Sequence, residues 1–472
     1  MEPLGGPAEM QLFRDDRECV EQAHGKQWHF FPDVWNGPEG CSFYGYGFPG
    51  MKTPAPNFLS ALSALRAMED GSLSSEALVR ACLDRIDERE ATVRAFAHVD
   101  RERAIVQARQ ADRAGAAGRL RGLPFAAKDI LDSADLPTAY GSPIYAGHRP
   151  AADAACIAAA REAGGILLGK TETCEFATLT PCATRHPQDP ARTPGGSSSG
   201  SAAAVADGMV PLAFGTQTSA SIIRPAAYCG VVGYKPSYGL INTSGLKHAS
   251  PSLDTIGVFA REVADARHAV FGTTDARDPG APRVVVCESS LWAAARPETV
   301  EALLAFARRL ERGGARLRTA RLPPGLEAAV ALQARLSAFE LRQSLAHERR
   351  WHRDRLSPRL RQRVEAEADL SMAGYAELRS SMRTAQREAA SLFVDADVLL
   401  YPAADGEAEV GMETGSPRFG GLWTFLHLPA LSMPMGRGPA GLPLGAQLVG
   451  APGRDLDLLA AAAFAEGCAA AP

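Results

Sequence analysis

Two serine-bearing turns and one lysine offer the clearest chemistry in this 472-residue chain. The first turn reads Pro194-Gly195-Gly196-Ser197-Ser198-Ser199-Gly200-Ser201 and runs into an alanine-rich stretch, 202–206. The second reads Gly215-Thr216-Gln217-Thr218-Ser219-Ala220-Ser221-Ile222-Ile223-Arg224-Pro225-Ala226. Upstream, the apolar run Leu123-Pro124-Phe125-Ala126-Ala127 ends in Lys128 and Asp129. Serine is a weak nucleophile until a base takes its proton. A free lysine, with a pKa of about 10.4, is charged at neutral pH. Apolar surroundings disfavour the ammonium and lower that value. A second hydroxyl suits a proton relay, because it donates and accepts at once. Together these are the parts of a hydrolase that works without histidine.

Other motifs fail on context. Gly164-Gly165-Ile166-Leu167-Leu168-Gly169-Lys170-Thr171 matches the phosphate-loop pattern. A phosphate loop needs a strand, then a glycine loop, then a helix, and here the supposed loop is itself an apolar strand. Gly196-Ser197-Ser198-Ser199-Gly200 matches G-x-S-x-G, but polar loop rather than a buried strand precedes it. His347-Glu348 with His352 has one residue too many for a zinc helix and reads as a charged, solvated helix face. His98, His148, His186, His248 and His427 are isolated. No metal and no cofactor is expected.

The elements that must position the two turns alternate between short apolar strands and alanine-rich helices. Residues 74–90 predict an amphipathic helix capped by Ser74 or Ser75, with Leu78, Cys82 and Ile86 on one face. Helices are predicted at 101–117, 152–163 and 199–206, and strands at Ile166–Leu168 and Val210–Phe214. A second block adds a strand at Val284–Val286, a helix at 297–312 and a charged helical stretch, 326–396, broken at Pro358. Strands return at Val398–Leu400, Ala430–Met433 and Ala446–Val449, before a helix at 455–466 that Asp455 could cap. This alternation predicts an α/β fold with one large mixed, mostly parallel twisted sheet covered by helices on both faces. The expected organisation is an aromatic-rich N-terminal extension, 1–56, and a single domain, 57–472, with a helical insertion around 297–396. The extension, with Trp28, Phe30, Phe31 and Trp35 among its aromatics, is expected to pack on the main body or to flank a binding site or subunit interface.

Composition narrows the class of partner. The net charge is -4 with acids and bases intermixed, so neither nucleic acid nor an anionic membrane is implied. No apolar run approaches the roughly 20 residues that span a bilayer. Met1-Glu2-Pro3-Leu4-Gly5 lacks the features of a signal peptide, and a cytoplasmic location is expected. Nine scattered cysteines, an odd number without a CxxC, favour reduced thiols.

From about residue 57 onward the chain resembles the amidase signature family, serine amidohydrolases with a Ser-cisSer-Lys triad. The resemblance rests on Gly122-Leu123-Pro124 through Lys128-Asp129, Gly169-Lys170-Thr171 with Glu175-Phe176-Ala177, Pro194 through Ser198, the Ser221 turn, Cys229-Gly230-Val231-Val232-Gly233-Tyr234-Lys235-Pro236, and Pro443 through Gly450. It implies Ser221 as nucleophile, Ser197 as the relay whose bond to Gly196 is cis, and Lys128 as base. It also implies an oxyanion hole from the backbone N–H groups of Thr218, Ser219, Ala220 and Ser221. The implied partner is a small-molecule amide, with a homodimer left open. Thr178, Leu179, Thr180, Tyr140 and Trp423 are candidate pocket residues. The expected reaction is hydrolysis of a carboxylic amide; because the resemblance includes the glutaminase component of tRNA-dependent amidotransferases, a glutaminase-type or acyl-transfer subunit is the alternative reading. The chain departs from the family's common Asp-x-Gly-Gly-Ser at three places, Gln217, Ser219 and Ala220, and its Arg224 sits one residue later than usual. Those changes leave a catalytically impaired binding relative as a third reading.

Overall fold

We describe the protein from a computed structural model. It describes residues 55–115, 117–272 and 280–470. The aromatic-rich segment 1–56 therefore lies, but for its last two residues, outside the described residues.

Among the described residues eleven strands form one sheet: β1 (Phe96–Val99), β2 (Pro124–Lys128), β3 (Ile166–Thr171), β4 (Leu212–Gln217), β5 (Val232–Lys235), β6 (Thr255–Ala260), β7 (Arg283–Glu288), β8 (Arg316–Arg321), β9 (Val398–Pro402), β10 (Ala430–Arg437) and β11 (Pro443–Gly450). Their order across the sheet is β1-β3-β2-β4-β6-β5-β10-β11-β9-β7-β8. The α/β class and the mixed sheet are as expected. The balance of directions is not. Pairs β3–β2, β2–β4, β9–β7 and β7–β8 are parallel, while the six others are antiparallel. Helical crossovers give parallel pairs near both ends of the sheet, whereas the centre is closed by direct returns such as the short turn between β10 and β11. Apart from that hairpin, strand directions in this central region, as in β4–β6 and β5–β10, depend on long-range pairing, which a local pattern does not report.

Side chains alternate along β7 and β9 and so divide between two cores. Val284 and Val286 of β7 enter one core, while Val285 and Cys287 enter the other; Val398 and Leu400 of β9 oppose Leu399 and Tyr401 in the same way. The first core takes Leu303, Phe306 and Leu310 from the helix Pro297–Arg312 and Leu458 and Leu459 from the helix Asp455–Ala470. Their spacing of three or four residues in Pro297–Arg312 is one face of a helix. The second core takes Leu326, Ala329 and Leu336 from the helix Pro324–Ser344, with Leu422 and Phe425 from Arg418–Phe425. Both faces of the sheet are thus covered.

Local signals act where expected, with some revisions. Ser74 caps the helix Ser75–Val93 by accepting from the N–H of Ala77. Pro358 opens a helix, Pro358–Glu365, behind a Ser357 cap, because a proline's missing N–H is harmless in the first turn. Asp455 holds another segment: its carboxylate accepts from Tyr234 Oη at 2.6 Å and from Ser237 N and Oγ at 2.8 and 2.6 Å. The supposed phosphate loop is β3, and its Lys170 pairs with Asp129 at 3.0 Å with both side chains buried. Glu348 is not on a solvated face; it is fully buried and accepts from Lys247 Nζ and Tyr145 Oη, each at 2.6 Å. Removing one member of a buried pair strands the other charge. Lys170→Ala is therefore expected to lower unfolding free energy by about 3–5 kcal/mol, measured by urea denaturation.

Candidate active site

Lys128 is the last residue of β2, a strand flanked by β3 and β4 and buried along its whole length. Its amine is fully buried and donates to Ser197 Oγ at 2.7 Å and to Thr216 Oγ1 at 2.8 Å. Burial penalises the ammonium and pulls the lysine down to about 7. The neutral amine, which can accept a proton, is thereby favoured over the charged form relative to a free lysine.

The first serine turn is built to present Ser197 alone. Gly195 has φ of +83°, and a side chain there would meet Pro225 and the Tyr228 ring. The Gly196–Ser197 peptide is cis. Arg224, buried in the helix Ile223–Cys229, donates to the carbonyl of Gly196 at 2.5 Å and to that of Gly415 at 2.9 Å. The displaced arginine of the sequence thus holds the residue before Ser197. The neighbouring serines are committed elsewhere. Ser198 Oγ donates to the Thr216 carbonyl and accepts from the Thr216 N–H. Ser199 Oγ donates to Gly195, and Ser201 Oγ bonds Thr171 and the Phe214 carbonyl.

The second turn links β4 to the helix Ile223–Cys229. Gln217 Oε1 accepts from the N–H groups of Ile222 and Ile223 at 2.8 and 3.0 Å, and its Nε2 donates to Thr424 Oγ1 at 2.9 Å. The amide oxygen thus supplies the acceptor that an aspartate would offer, while the amide nitrogen adds a donor. The N–H groups of Thr218, Ser219, Ala220 and Ser221 find no acceptor among the described residues. None of these four residues has a positive φ, so the turn does not require glycine for its backbone conformation. Thr218 Oγ1 donates to Asp254 at 2.5 Å, and the carbonyl of Ser219 accepts from Thr424 Oγ1 at 2.8 Å. Ser221 is 9% exposed, against 1% for Ser197 and none for Lys128. It is the most exposed of the three residues, and its hydroxyl makes no hydrogen bond among the described residues.

The five candidate pocket residues sit in other contacts. Tyr140 is buried with its hydroxyl on Asp132 at 2.7 Å. Thr178 Oγ1 donates to the Glu175 carbonyl, Thr180 bonds Ser357, and Leu179 is 40% exposed. Trp423 is fully buried and edge-on to Tyr401 at 5.2 Å. Its helix, Arg418–Phe425, does face the second turn, through Gly420 against Ala220 and Thr424 against Ser219. His427 is held near 4 by burial; it stacks on Tyr238 and faces the Ser252 carbonyl.

Residues 77–459 match the family described as Amidase. The chain belongs to the amidase family. Among curated relatives, a glutamyl-tRNA(Gln) amidotransferase component from Chloroflexus aurantiacus is 43% identical over 217 residues, 44% of this chain and 45% of its own length. Its counterpart from Thermobifida fusca is 43% identical over 232 residues, 47% of each. The aligned part of the chain spans about half the length of these relatives. Solved structures extend the likeness. A crystal structure of an amidase superposes with a TM-score of 0.78 at 29% identity, covering 86% of this chain and 99% of that one. The peptide amidase from Stenotrophomonas maltophilia gives 0.76 at 27%, with 86% and 96% covered. A chain from a vestigial protein complex described as revealing the origins of an s-triazine catabolic enzyme gives 0.79 at 26%, with 86% and 98% covered.

In this amidase-family chain, sequence reasoning had not singled out Thr216, Thr424 or Gln333. Thr216 was legible in principle: it lies at the end of β4, beside β2, where a polar residue follows an apolar run. Thr424 and Gln333 reach the second turn from more than 100 residues away, and no local spacing announces them. Gln217 satisfies two buried N–H groups, and leaving both unpaired costs about 2–6 kcal/mol, about 1–3 for each. Gln217→Leu should lower stability by about that amount in chemical denaturation, while Gln217→Glu, which keeps the acceptor oxygen, should lose less.

Proposed function

We propose that this chain cleaves a carboxylic amide through an acyl-enzyme on Ser221. Neutral Lys128 takes the Ser197 proton as Ser197 takes that of Ser221. The freed Ser221 oxygen attacks the amide carbonyl carbon. The carbonyl π electrons move to oxygen, and the N–H groups of Thr218, Ser219, Ala220 and Ser221 stabilise that oxyanion. Collapse of the intermediate breaks the C–N bond, and the leaving nitrogen collects its proton from the Ser197–Lys128 pair. Water then repeats the sequence on the ester, releasing the acid and restoring Ser221. The observation that carries this reading is the run of four consecutive N–H groups without acceptors, ending on the most exposed serine of the set. Thr218 and Ser219 are half-buried and Ala220 and Ser221 buried, and polar groups without protein partners in such a place are suited to a ligand oxygen.

A second reading keeps the same cleavage but passes ammonia onward within an assembly. It is favoured by the relatives named as components of glutamyl-tRNA(Gln) amidotransferase, whose 43% identity exceeds that of the superposed structures. The relative described as part of a vestigial complex points the same way. Residues of the turn and lysine serve both readings, so the distinction rests on what surrounds the chain.

Three measurements separate these outcomes. Ser221→Ala should lower amide turnover by about ten-thousand-fold or more and abolish labelling by a fluorophosphonate serine probe. Undiminished turnover would remove Ser221 from the mechanism, and an unlabelled wild-type chain would favour the impaired binding relative. Purification from the native source should yield a chain active alone for hydrolysis, or a stoichiometric complex with glutaminase activity confined to it for ammonia transfer. In the pH profile, Lys128 works only when neutral, and its pKa is held near 7. The rate should rise with pH through an inflection near 7 and fall on the acid side as the amine becomes charged. A flat profile across about pH 6 to 8 would exclude Lys128 as the base.

A further inference from the structure

The proposed oxyanion turn of this chain is fastened from outside by a residue of the helix Pro324–Ser344. Gln333 Nε2 donates to the carbonyl of Thr218 at 3.0 Å and to Ser219 Oγ at 2.7 Å. Both protons of that amide nitrogen are thereby used on the turn, and the side chain is only 7% exposed.

The consequence follows from peptide geometry. In a planar trans peptide the C=O of one residue and the N–H of the next point in opposite directions. Holding the Thr218 carbonyl toward Gln333 therefore aims the Ser219 N–H away from it. Thr424 Oγ1 holds the Ser219 carbonyl at 2.8 Å and so aims the Ala220 N–H. The Ala220 carbonyl accepts from the Arg224 N–H at 2.9 Å, which aims the N–H of Ser221. Three successive carbonyls are each anchored by a different partner, and the three N–H groups opposite them are among the four that find no acceptor among the described residues. The Ser219 hydroxyl gives Gln333 a second point of attachment that a glycine could not provide.

We infer that Gln333 is a positioning residue for amide cleavage, fixing the Thr218–Ser219 peptide so that its N–H faces the developing oxyanion. This rests on the proposed acyl-enzyme mechanism at Ser221. Misplacement by about 1 Å is enough to reduce a catalysed rate about 100-fold.

The test uses the full chain with an amide that the wild type turns over, and a fluorophosphonate probe whose phosphonyl oxygen takes the oxyanion's place. Gln333→Leu should lower kcat and the probe's labelling rate together by about 10- to 100-fold, with KM and Tm near wild type. Ser219→Ala, which removes only the hydroxyl attachment, should lower both by a smaller factor. In the double variant the effects should fall short of the product of the single ones, because both act on one attachment. Wild-type kcat and labelling in Gln333→Leu, or a rise in KM at constant kcat, would overturn the inference. Should Gln333→Leu fail to fold, Ser219→Ala decides: unchanged labelling there would overturn it. Ser221→Ala, run alongside, reports on the mechanism itself. If Ser221→Ala is still labelled and active, the acyl-enzyme reading fails; if only the Gln333 and Ser219 variants match wild type, the positioning role alone fails.

Discussion

A lysine amine held away from water is the constraint on which the rest of the site depends. Three buried lysines show that burial by itself does not decide what such an amine can do. Lys170, on β3, sits beside β2 in a register that pairs it with Ala127, one residue before Lys128. Side chains alternate along strands, so the two lysines occupy opposite faces of the sheet. Lys170 meets the Asp129 carboxylate and forms an ion pair. Lys235, also drawn down to about 7 by burial, donates to the backbone carbonyl of Pro236. A carbonyl has no proton to give. Lys170 also reaches a hydroxyl, Thr138 Oγ1 at 2.6 Å, but its carboxylate partner holds it as an ion pair; of these three lysines only Lys128 faces two hydroxyls and no carboxylate, and a hydroxyl can surrender a proton as well as accept one. The surroundings that make Lys128 a candidate base are therefore specific to its face of the sheet and to Ser197 and Thr216.

That placement depends on the strands around β2 and on the helix that follows the second turn. β2 excludes water from the lysine because β3 and β4 flank it, with Phe125 and Leu212 buried alongside. β4 carries Thr216 to the same end and then turns directly into the Ser221 segment. The first serine turn is brought across by Arg224, which belongs to the helix that follows the second turn. The two turns are thus tied to each other through one guanidinium, and neither is positioned by its own sequence alone.

Much of this was legible in the sequence, and the rest was hidden for physical reasons. Lys128, Ser197 and Ser221 lie in long ordered motifs, so their residue types and order could be recognised, and apolar runs marked the strands. The central antiparallel pairs were not legible, since strand direction is settled by partners far away in the chain. Gln333 and Thr424 were hidden for the same reason: each acts on the second turn from a helix formed more than 100 residues later. Trp423 illustrates the converse. Its aromatic type, suited to an apolar acyl group, suggested a pocket wall, yet helical rotation turns it into the second core while its neighbour Thr424 faces the turn.

Ser219 and Ala220 looked like the weak point of the second turn, because glycine is the natural residue where backbone must approach a ligand. The structure removes the conformational part of that objection, since neither residue has a positive φ. The steric part is met from the opposite side. A Cβ placed on Gly420 would lie 2.7 Å from the Ala220 methyl and 2.9 Å from the Ser219 carbonyl oxygen, far inside contact distance. The missing side chain has moved from the turn to the helix that packs on it. This exchange brings the helix close enough for Thr424, one turn further on, to reach the Ser219 carbonyl. The same two substitutions that break the family pattern thus carry their own supports: a hydroxyl for Gln333 to hold, and a methyl accommodated by a glycine in the facing helix. A turn that has lost its glycines but gained anchors for its carbonyls can be as well preorganised as the one it replaces, and preorganised donors are what an oxyanion site requires.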